Sequence, residues 1–229
     1  MIDPRCFSDC DGQYVGADKK IHRTGNFTYR TVFSGWDVFR SQFPLQTLIN
    51  PRLVNDEINS LIQIAQLSGK EYYPRWEVVN AYSGCMLGNP AISVLTDAYE
   101  KGIREYDVQK AVEYAANTQE HFGNGDLGYT PGSLSHTLEY AYTDWCLGQL
   151  MHSLGKKKEA AEYEKRAGAY RNVWNDSVKW FCTRVKGGGW LPWRGRTVQD
   201  QGTTESNPFQ QGWFVPHDIE GMKALMGGQ

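Results

Sequence analysis

The segment from Thr203 to Asp218 gathers the side chains best suited to chemistry. Within sixteen residues it holds two carboxylates (Glu205, Asp218), one imidazole (His217), three amides (Asn207, Gln210, Gln211) and large aromatics, with no Lys or Arg. A surface loop would carry some Lys, and a core helix would not carry Glu, Asn and paired Gln. The mixture suits a partly buried pocket that hydrogen-bonds a polyhydroxylated ligand and stacks aromatics on its apolar face. In such a setting partial desolvation would fit Glu205 for proton donation; a helix-capping or salt-bridged Glu is the plainer alternative. Asn207 and Gln210 supply neutral oxygens of the kind calcium accepts. Asp218 suits ligand contact and equally suits the cap of a short helix at 217–226. Earlier in the chain, Trp36 and Asp37 set a stacking face beside a hydrogen-bond acceptor, with Arg40 placed to fix Asp37.

Thr204-Glu205-Ser206-Asn207, continued by Gln210-Gln211-Gly212-Trp213-Phe214-Val215-Pro216-His217-Asp218, resembles the central catalytic motif of glycoside hydrolase family 92. These are calcium-dependent, exo-acting α-mannosidases. Three further segments resemble the same family in the same order: Gly35–Arg40, Gly84–Pro90 and Thr137–Trp145. The resemblance implies an (α/α)6 barrel and an inverting mechanism acting on α-1,2 linkages of a mannose-containing oligosaccharide or N-glycan. It implies that Glu205 is the general acid, that Asp37 binds hydroxyls of the terminal mannose beside Trp36, and that Trp213, His217 and Asp218 contact substrate. It implies calcium as cofactor, with Asn207 and Gln210 as metal contacts. An inverting pair of carboxyl groups stands about 6.5–9.5 Å apart to admit a water. In the family the general-base aspartates follow the segment matching Leu225-Met226-Gly227-Gly228, and a β-sandwich domain precedes the barrel. The chain is therefore expected to be an internal piece, inactive alone, whose partners include the rest of its parent chain. The competing expectation is a non-enzymatic helical carbohydrate-binding or scaffold module.

The bulk properties agree with a folded enzyme segment. With 229 residues, 40% hydrophobic and 22% charged, the chain is long enough for a substantial core. A net charge of −2 gives no electrostatic reason to bind nucleic acid or an anionic membrane. No apolar run approaches the ~20 residues of a membrane helix. Met1-Ile2-Asp3-Pro4-Arg5 shows no secretion signal, whereas the family resemblance implies a periplasmic or secreted parent. The five cysteines (6, 10, 85, 146, 182) lack a zinc spacing and read mostly as small apolar fillers. The scatter of Asp9, Asp11 and Asp18 lacks the pattern of a calcium loop.

A mainly α fold, part of an (α/α)6 barrel with a short N-terminal β-hairpin, must position these groups. Residues 1–34 are expected to form that loop and hairpin, with Gln13–Val15 and Phe27–Phe33 as strands, and 35–229 an incomplete catalytic domain. Helical periodicity predicts Trp36–Leu48, kinked near Pro44, and Pro51–Leu67, ending before Gly69. Asn89 with Pro90 opens another helix, Asp107 caps the next, and Ser133 or Ser135 caps a long one reaching Leu154. Lys156–Trp174 reads as a surface helix with one buried face. Residues 175–203 read as a long loop, with room for a hairpin.

Overall fold

The computed structural model describes residues 5–31 and 33–228 and separates into two units, Met1–His121 and Phe122–Gln229. In the first unit β1 (Arg5–Cys6) pairs antiparallel with β4 (Arg30–Thr31), and β2 (Gln13–Val15) with β3 (Ile21–Arg23). The expected N-terminal hairpin is therefore present, but the partner of Gln13–Val15 is Ile21–Arg23. The alternating run Phe27–Phe33 pairs with β1 at Arg30–Thr31 and bridges Glu77 at Phe33, and Val32 lies outside the described residues. Its rings are drawn into packing: Tyr29, fully buried, stacks on Tyr14 at 3.9 Å, with Phe7 and Phe27 alongside.

After the strands come α1 (Gly35–Val38), α2 (Gln42–Ile49) and α3 (Pro51–Leu67). The interruption of the Trp36–Leu48 run falls at Phe39–Ser41 rather than at Pro44. Pro44 lies in the first turn of α2, where helix N–H groups have no intrahelical partner and a missing one costs little. The boundaries of α3 match the sequence reading because local chemistry sets them. Asn50 Oδ1 accepts the Leu53 N–H at 3.3 Å, Pro51 opens the first turn, and Gly69 follows the end in a left-handed conformation (φ 69°). Leu53, Ile58, Leu61, Ile62 and Ala65 form its buried face.

A small ribbon of β5 (Glu77–Val78) and β6 (Ala81–Tyr82) leads to α4 (Pro90–Glu100) and α5 (Val108–Phe122). α4 packs on α2 and α3, with Ile92, Val94, Leu95 and Ala98 all buried. Ile92, Val94 and Leu95 each contribute roughly 1.5–3 kcal/mol on burial. Asn89 stands at the N-cap position of α4 but does not cap it; its Nδ2 donates to Gln119 Oε1 at 2.8 Å inside the core. Asp107 does cap α5, its Oδ1 accepting the Lys110 N–H at 3.0 Å.

The second unit is built on a helical hairpin of α6 (Leu134–Ser153) and α7 (Lys157–Ala167). Ser133 caps α6 by accepting the His136 N–H at 3.1 Å. Buried Asp144 of α6 meets Arg166 of α7 at 3.0 Å, so that carboxylate serves the hairpin. The helix expected to continue to Trp174 changes character at Gly168. Residues Gly168–Val173 form a 3-10 turn, then β7 (Trp174–Asn175) pairs with β8 (Trp180–Phe181). The tighter winding and the turn bring Tyr170, Val173, Trp174, Trp180 and Phe181 into one core with Leu134, Leu138 and Val215. Short helices α8 (Pro208–Gln211) and α9 (Ile219–Leu225) close the unit. The fold is mainly α, as expected.

All five cysteines are free thiols; Cys146 and Cys182 are buried fillers, whereas Cys6, Cys10 and Cys85 are exposed, which corrects the filler reading for those three. They lie on short strands and loops that the core does not reach. Among the described residues no helix is long and apolar enough to cross a membrane.

Candidate active site

Trp36 and Asp37 belong to α1 of the first unit. Gly35 seats that turn: a Cβ there would stand 2.5 Å from Arg75 O and from Pro90 Cγ, so only glycine lets the backbone approach. Ser34 precedes it, and its hydroxyl donates to Asp37 Oδ2. Asp37 is exposed and Trp36 half-buried. Arg40 lays its guanidinium over the rings of Trp36 and Phe39, at 5.2 and 4.6 Å from their centroids. The sequence cast Arg40 as the group that fixes Asp37; the hydroxyl of Ser34 makes that contact.

In the second unit the N-terminus of α6 grips the 202–207 segment. The N–H groups of Leu134 and Ser135 donate to Gly202 O at 2.8 and 3.2 Å. Ser135 Oγ accepts the Thr204 N–H at 3.0 Å and donates to Gln211 Oε1 at 2.7 Å, tying both ends of the segment together. Gly202 has φ 80°, and a Cβ there would lie 2.3 Å from Thr183 Oγ1. Ser135 appeared in the sequence only as a rival helix cap. Nothing in sequence spacing pairs it with Gln211, 76 positions later.

Glu205 takes a left-handed backbone conformation, φ 53°, which costs a non-glycine residue roughly 1–2 kcal/mol. Strain of this kind collects at functional positions when the surroundings hold it in place. Here Thr203 Oγ1 donates to Ser206 O at 2.6 Å across the turn. The turn presents Glu205 outward, and its side chain is exposed. The desolvation expected from its polar-aromatic neighbours is absent in this chain, because those neighbours fold onto one another instead of around the carboxylate.

Asn207 and Gln210 make a reciprocal capping box on α8. Asn207 Oδ1 accepts the Gln210 N–H at 3.0 Å, and Gln210 Oε1 accepts the Asn207 N–H at 3.1 Å. Each oxygen retains one further lone pair. Two neutral oxygens so engaged fall well short of the six to eight that calcium takes. Among the described residues no group of three or more His, Cys, Asp or Glu side chains gathers to hold a metal. The Asn207–Gln210 pair does not by itself fit calcium.

The aromatics are sorted by depth. Trp180 is buried, with Nε1 donating to Pro208 O at 2.7 Å. Phe209 stacks on it at 5.5 Å, and Trp213 meets both rings edge-on at 5.1 and 5.8 Å. Trp213 is 48% exposed.

His217 and Asp218 turn toward the Ala167–Arg171 segment. His217 Nε2 donates to Ala167 O at 3.0 Å, which leaves Nδ1 as an acceptor, buried and without a partner among the described residues. Rings of Tyr142, Trp145 and Tyr170 surround it at 5.7–6.4 Å. Burial pushes its pKa below the ordinary histidine value, so the ring is neutral at pH 7. Asp218 is spent on structure: Oδ1 accepts the Gly221 N–H at 2.8 Å and caps α9, while Oδ2 accepts from Tyr170 Oη at 2.6 Å and Arg171 Nη2 at 2.8 Å. Of the two roles the sequence offered Asp218, this geometry displays the cap. The Tyr170 hydrogen bond above all holds its carboxyl below the usual range; burial opposes it, and the Gly221 and Arg171 contacts add to the lowering.

Comparison with known proteins completes the picture. The sequence profile of the glycosyl hydrolase family 92 catalytic domain matches residues 1–229. A family GH92 α-mannosidase from Bacteroides thetaiotaomicron superposes with a TM-score of 0.92 at 31% identity, covering 98% of this chain and 32% of that one. The complex of that enzyme with mannoimidazole gives 0.92 at 30% identity, with the same coverage. A family GH92 inverting mannosidase from the same species gives 0.88 at 32% identity, over 98% of this chain and 33% of its own. An uncharacterized secreted glycosidase of Arthroderma benhamiae is 30% identical over 144 residues, which are 52% of this chain and 18% of the relative. The chain thus spans about a third of the length of the solved mannosidases it matches.

Proposed function

Since the chain belongs to glycosyl hydrolase family 92, we propose that it forms part of the catalytic domain of an exo-acting, inverting α-mannosidase. Its substrate class is the α-linked, mannose-terminated oligosaccharide or N-glycan, with α-1,2 linkages preferred, and its parent is periplasmic or secreted. The observation that carries this reading is Glu205, exposed in a left-handed turn that α6 holds through Ser135, in the same segment as the exposed Trp213. A carboxyl displayed in this way reaches a glycosidic oxygen that enters from solvent.

Glu205 acts as general acid. Its proton passes to the glycosidic oxygen as the bond from that oxygen to the anomeric carbon breaks, and the leaving alcohol departs neutral. A second carboxylate, acting as base, removes a proton from a water that attacks the opposite face of the sugar. Trp36 and Asp37 hold the terminal mannose, Asp37 accepting from its hydroxyls. Trp213 stacks on sugar. His217 contributes to the substrate site through its ring, whose buried Nδ1 is an acceptor with no hydrogen-bond partner among the described residues. Asp218 supports it by fixing α9 against Tyr170 and Arg171. Calcium dependence remains part of the proposal through the family, but with most of the metal's oxygens drawn from groups other than Asn207 and Gln210.

Replacement of Glu205 tests this in the whole protein. Glu205→Gln should lower turnover of an α-linked mannobiose by about two to four orders of magnitude. On an aryl mannoside whose phenolate leaves without protonation the loss should be far smaller. Equal losses on the two substrates would assign Glu205 to binding or structure. Sugar binding with no hydrolysis by the wild-type protein would favour the non-enzymatic module.

A further inference from the structure

We propose that Phe209, Trp213 and Arg196 form a platform for the sugar on the leaving-group side of the scissile bond, with Gln210 at its polar edge. The proposal rests on the reading of Glu205 as general acid. Phe209 and Trp213 are 38% and 48% exposed, whereas Trp174, Trp180 and Phe181 of the same unit are buried. The exposed rings are held in place. Phe209 stacks on Trp180 with 28° between planes, and Trp213 stands nearly perpendicular to both. Arg196 places its guanidinium 5.5 Å from the Trp180 centroid and 5.7 Å from that of Phe209, and its carbonyl accepts the Phe209 N–H at 2.8 Å. The surface is therefore set before ligand arrives, which lowers the entropy lost on binding.

Its chemistry is that of a sugar site. Aromatic faces accept the C–H face of a pyranose, and polar donors around them bond its hydroxyls. The donors here are the Arg196 guanidinium and Gln210 Nε2, which has no hydrogen-bond partner among the described residues; Gln210 Oε1 is committed to the capping box. An apolar protein segment laid over the same surface would bury both donors without partners, at a cost in free energy. A hydroxyl-bearing ligand satisfies them.

Position supplies the rest. Phe209 follows Glu205 by four residues, so their Cα atoms are at most about 14 Å apart even in an extended chain. The acid donates its proton to the leaving oxygen, and the sugar carrying that oxygen lies on the acid's side of the bond. A platform so close along the chain to the acid meets that sugar. The rings then select for a leaving group that is itself a hexose, as in an oligomannoside.

The experiment compares two substrates in the whole protein: an α-linked mannobiose, whose leaving group is a sugar, and α-mannosyl fluoride, whose leaving group is too small to reach the platform. Phe209→Ala and Trp213→Ala should each reduce kcat/KM for mannobiose about tenfold more than for the fluoride, mainly through KM. Phe209→Tyr and Trp213→Phe, which keep a ring, should restore most of the difference; they serve as the test if the alanine variants do not fold. Equal losses on both substrates, or a lower Tm with no KM effect, would overturn the platform. Failure of the acid reading looks different. If the wild-type protein releases mannose from neither substrate, quenching of tryptophan fluorescence by an α-linked mannotriose decides: saturable quenching weakened by Phe209→Ala upholds the platform, and no quenching ends it.

Discussion

Glu57 is the residue whose ionisation most clearly opposes its surroundings. It is buried in α3, its Oε2 has no hydrogen-bond partner among the described residues, and burial, reinforced by the Glu77 carboxylate, pushes its pKa up to about 8. An unfolded Glu titrates near its ordinary value, so between the two values the folded state binds the extra proton. Stability from this group is complete below the unfolded pKa and is lost as pH rises toward 8. Denaturant titrations of the whole protein should show stability falling between about pH 5 and pH 8. Glu57→Gln should flatten that decline and gain on the order of a few kcal/mol at the alkaline end. A decline unchanged by the substitution would remove Glu57 as its cause. Asp218 has the opposite sign. Its pKa is lowered by the Tyr170 hydrogen bond first, so its contribution is present above the ordinary carboxyl value and is lost as pH falls below it. Asp218→Ala should cost about 1 kcal/mol through the lost cap alone, read as a lower unfolding midpoint at neutral pH that converges with wild type in acid.

Four residues make up α8, too few to be stable by propensity, so its ends decide whether it forms. Asn207 and Gln210 supply that end, and Pro208 presets the first turn. Asn207→Ala should cost about 1 kcal/mol, while Asn207→Asp, which can still accept the Gln210 N–H, should cost much less. Because Phe209 rides on α8, the Ala variant should also raise KM for oligosaccharide more than the Asp variant does. Equal behaviour of the two would argue that the capping box is incidental. The sequence reading took the Asn207 and Gln210 oxygens for calcium contacts and did not draw the cap that their Asn-x-x-Gln spacing allows. Helix ends recorded in adjacent residues, such as Asn50-Pro51 or Ser133, match the sequence reading. Breaks set by distant packing do not, as at Phe39–Ser41 and Gly168, where aromatic rings had to be delivered into a core.

At the scale of the molecule, the chain covers about a third of the mannosidases it resembles. Inverting hydrolysis needs two carboxyl groups and a water between them; Glu205 is proposed as the acid of that pair. We expect the 229-residue chain alone to release mannose from an α-linked mannobiose at a small fraction of the rate of the whole protein, measured at equal molar concentration. Comparable rates would mean that the base lies within these residues. In the whole protein, a chelator should abolish turnover, while Asn207→Asp should leave the calcium requirement in place. Loss of the requirement in that variant would move Asn207 back among the metal's ligands.

The sequence by itself determined what depends on residue identity and short spacing: the family, through four motifs in order; the mainly α class, through periodicity; the bounds of α3; and the caps of α5 and α6. Those signals are local, and their physics operates within a turn or two of helix. Only the tertiary structure decided what depends on direction and distant partners. It turned Glu205 outward through a left-handed residue, joined Ser135 to Gln211, gave Asp218 to Tyr170 and Arg171, and separated the buried Trp180 from the exposed Trp213. A carboxylate, an amide or an indole has the same letter whether it faces ligand, core or solvent. Which of these it faces is fixed by contacts tens of residues away, and those exist only once the chain has folded.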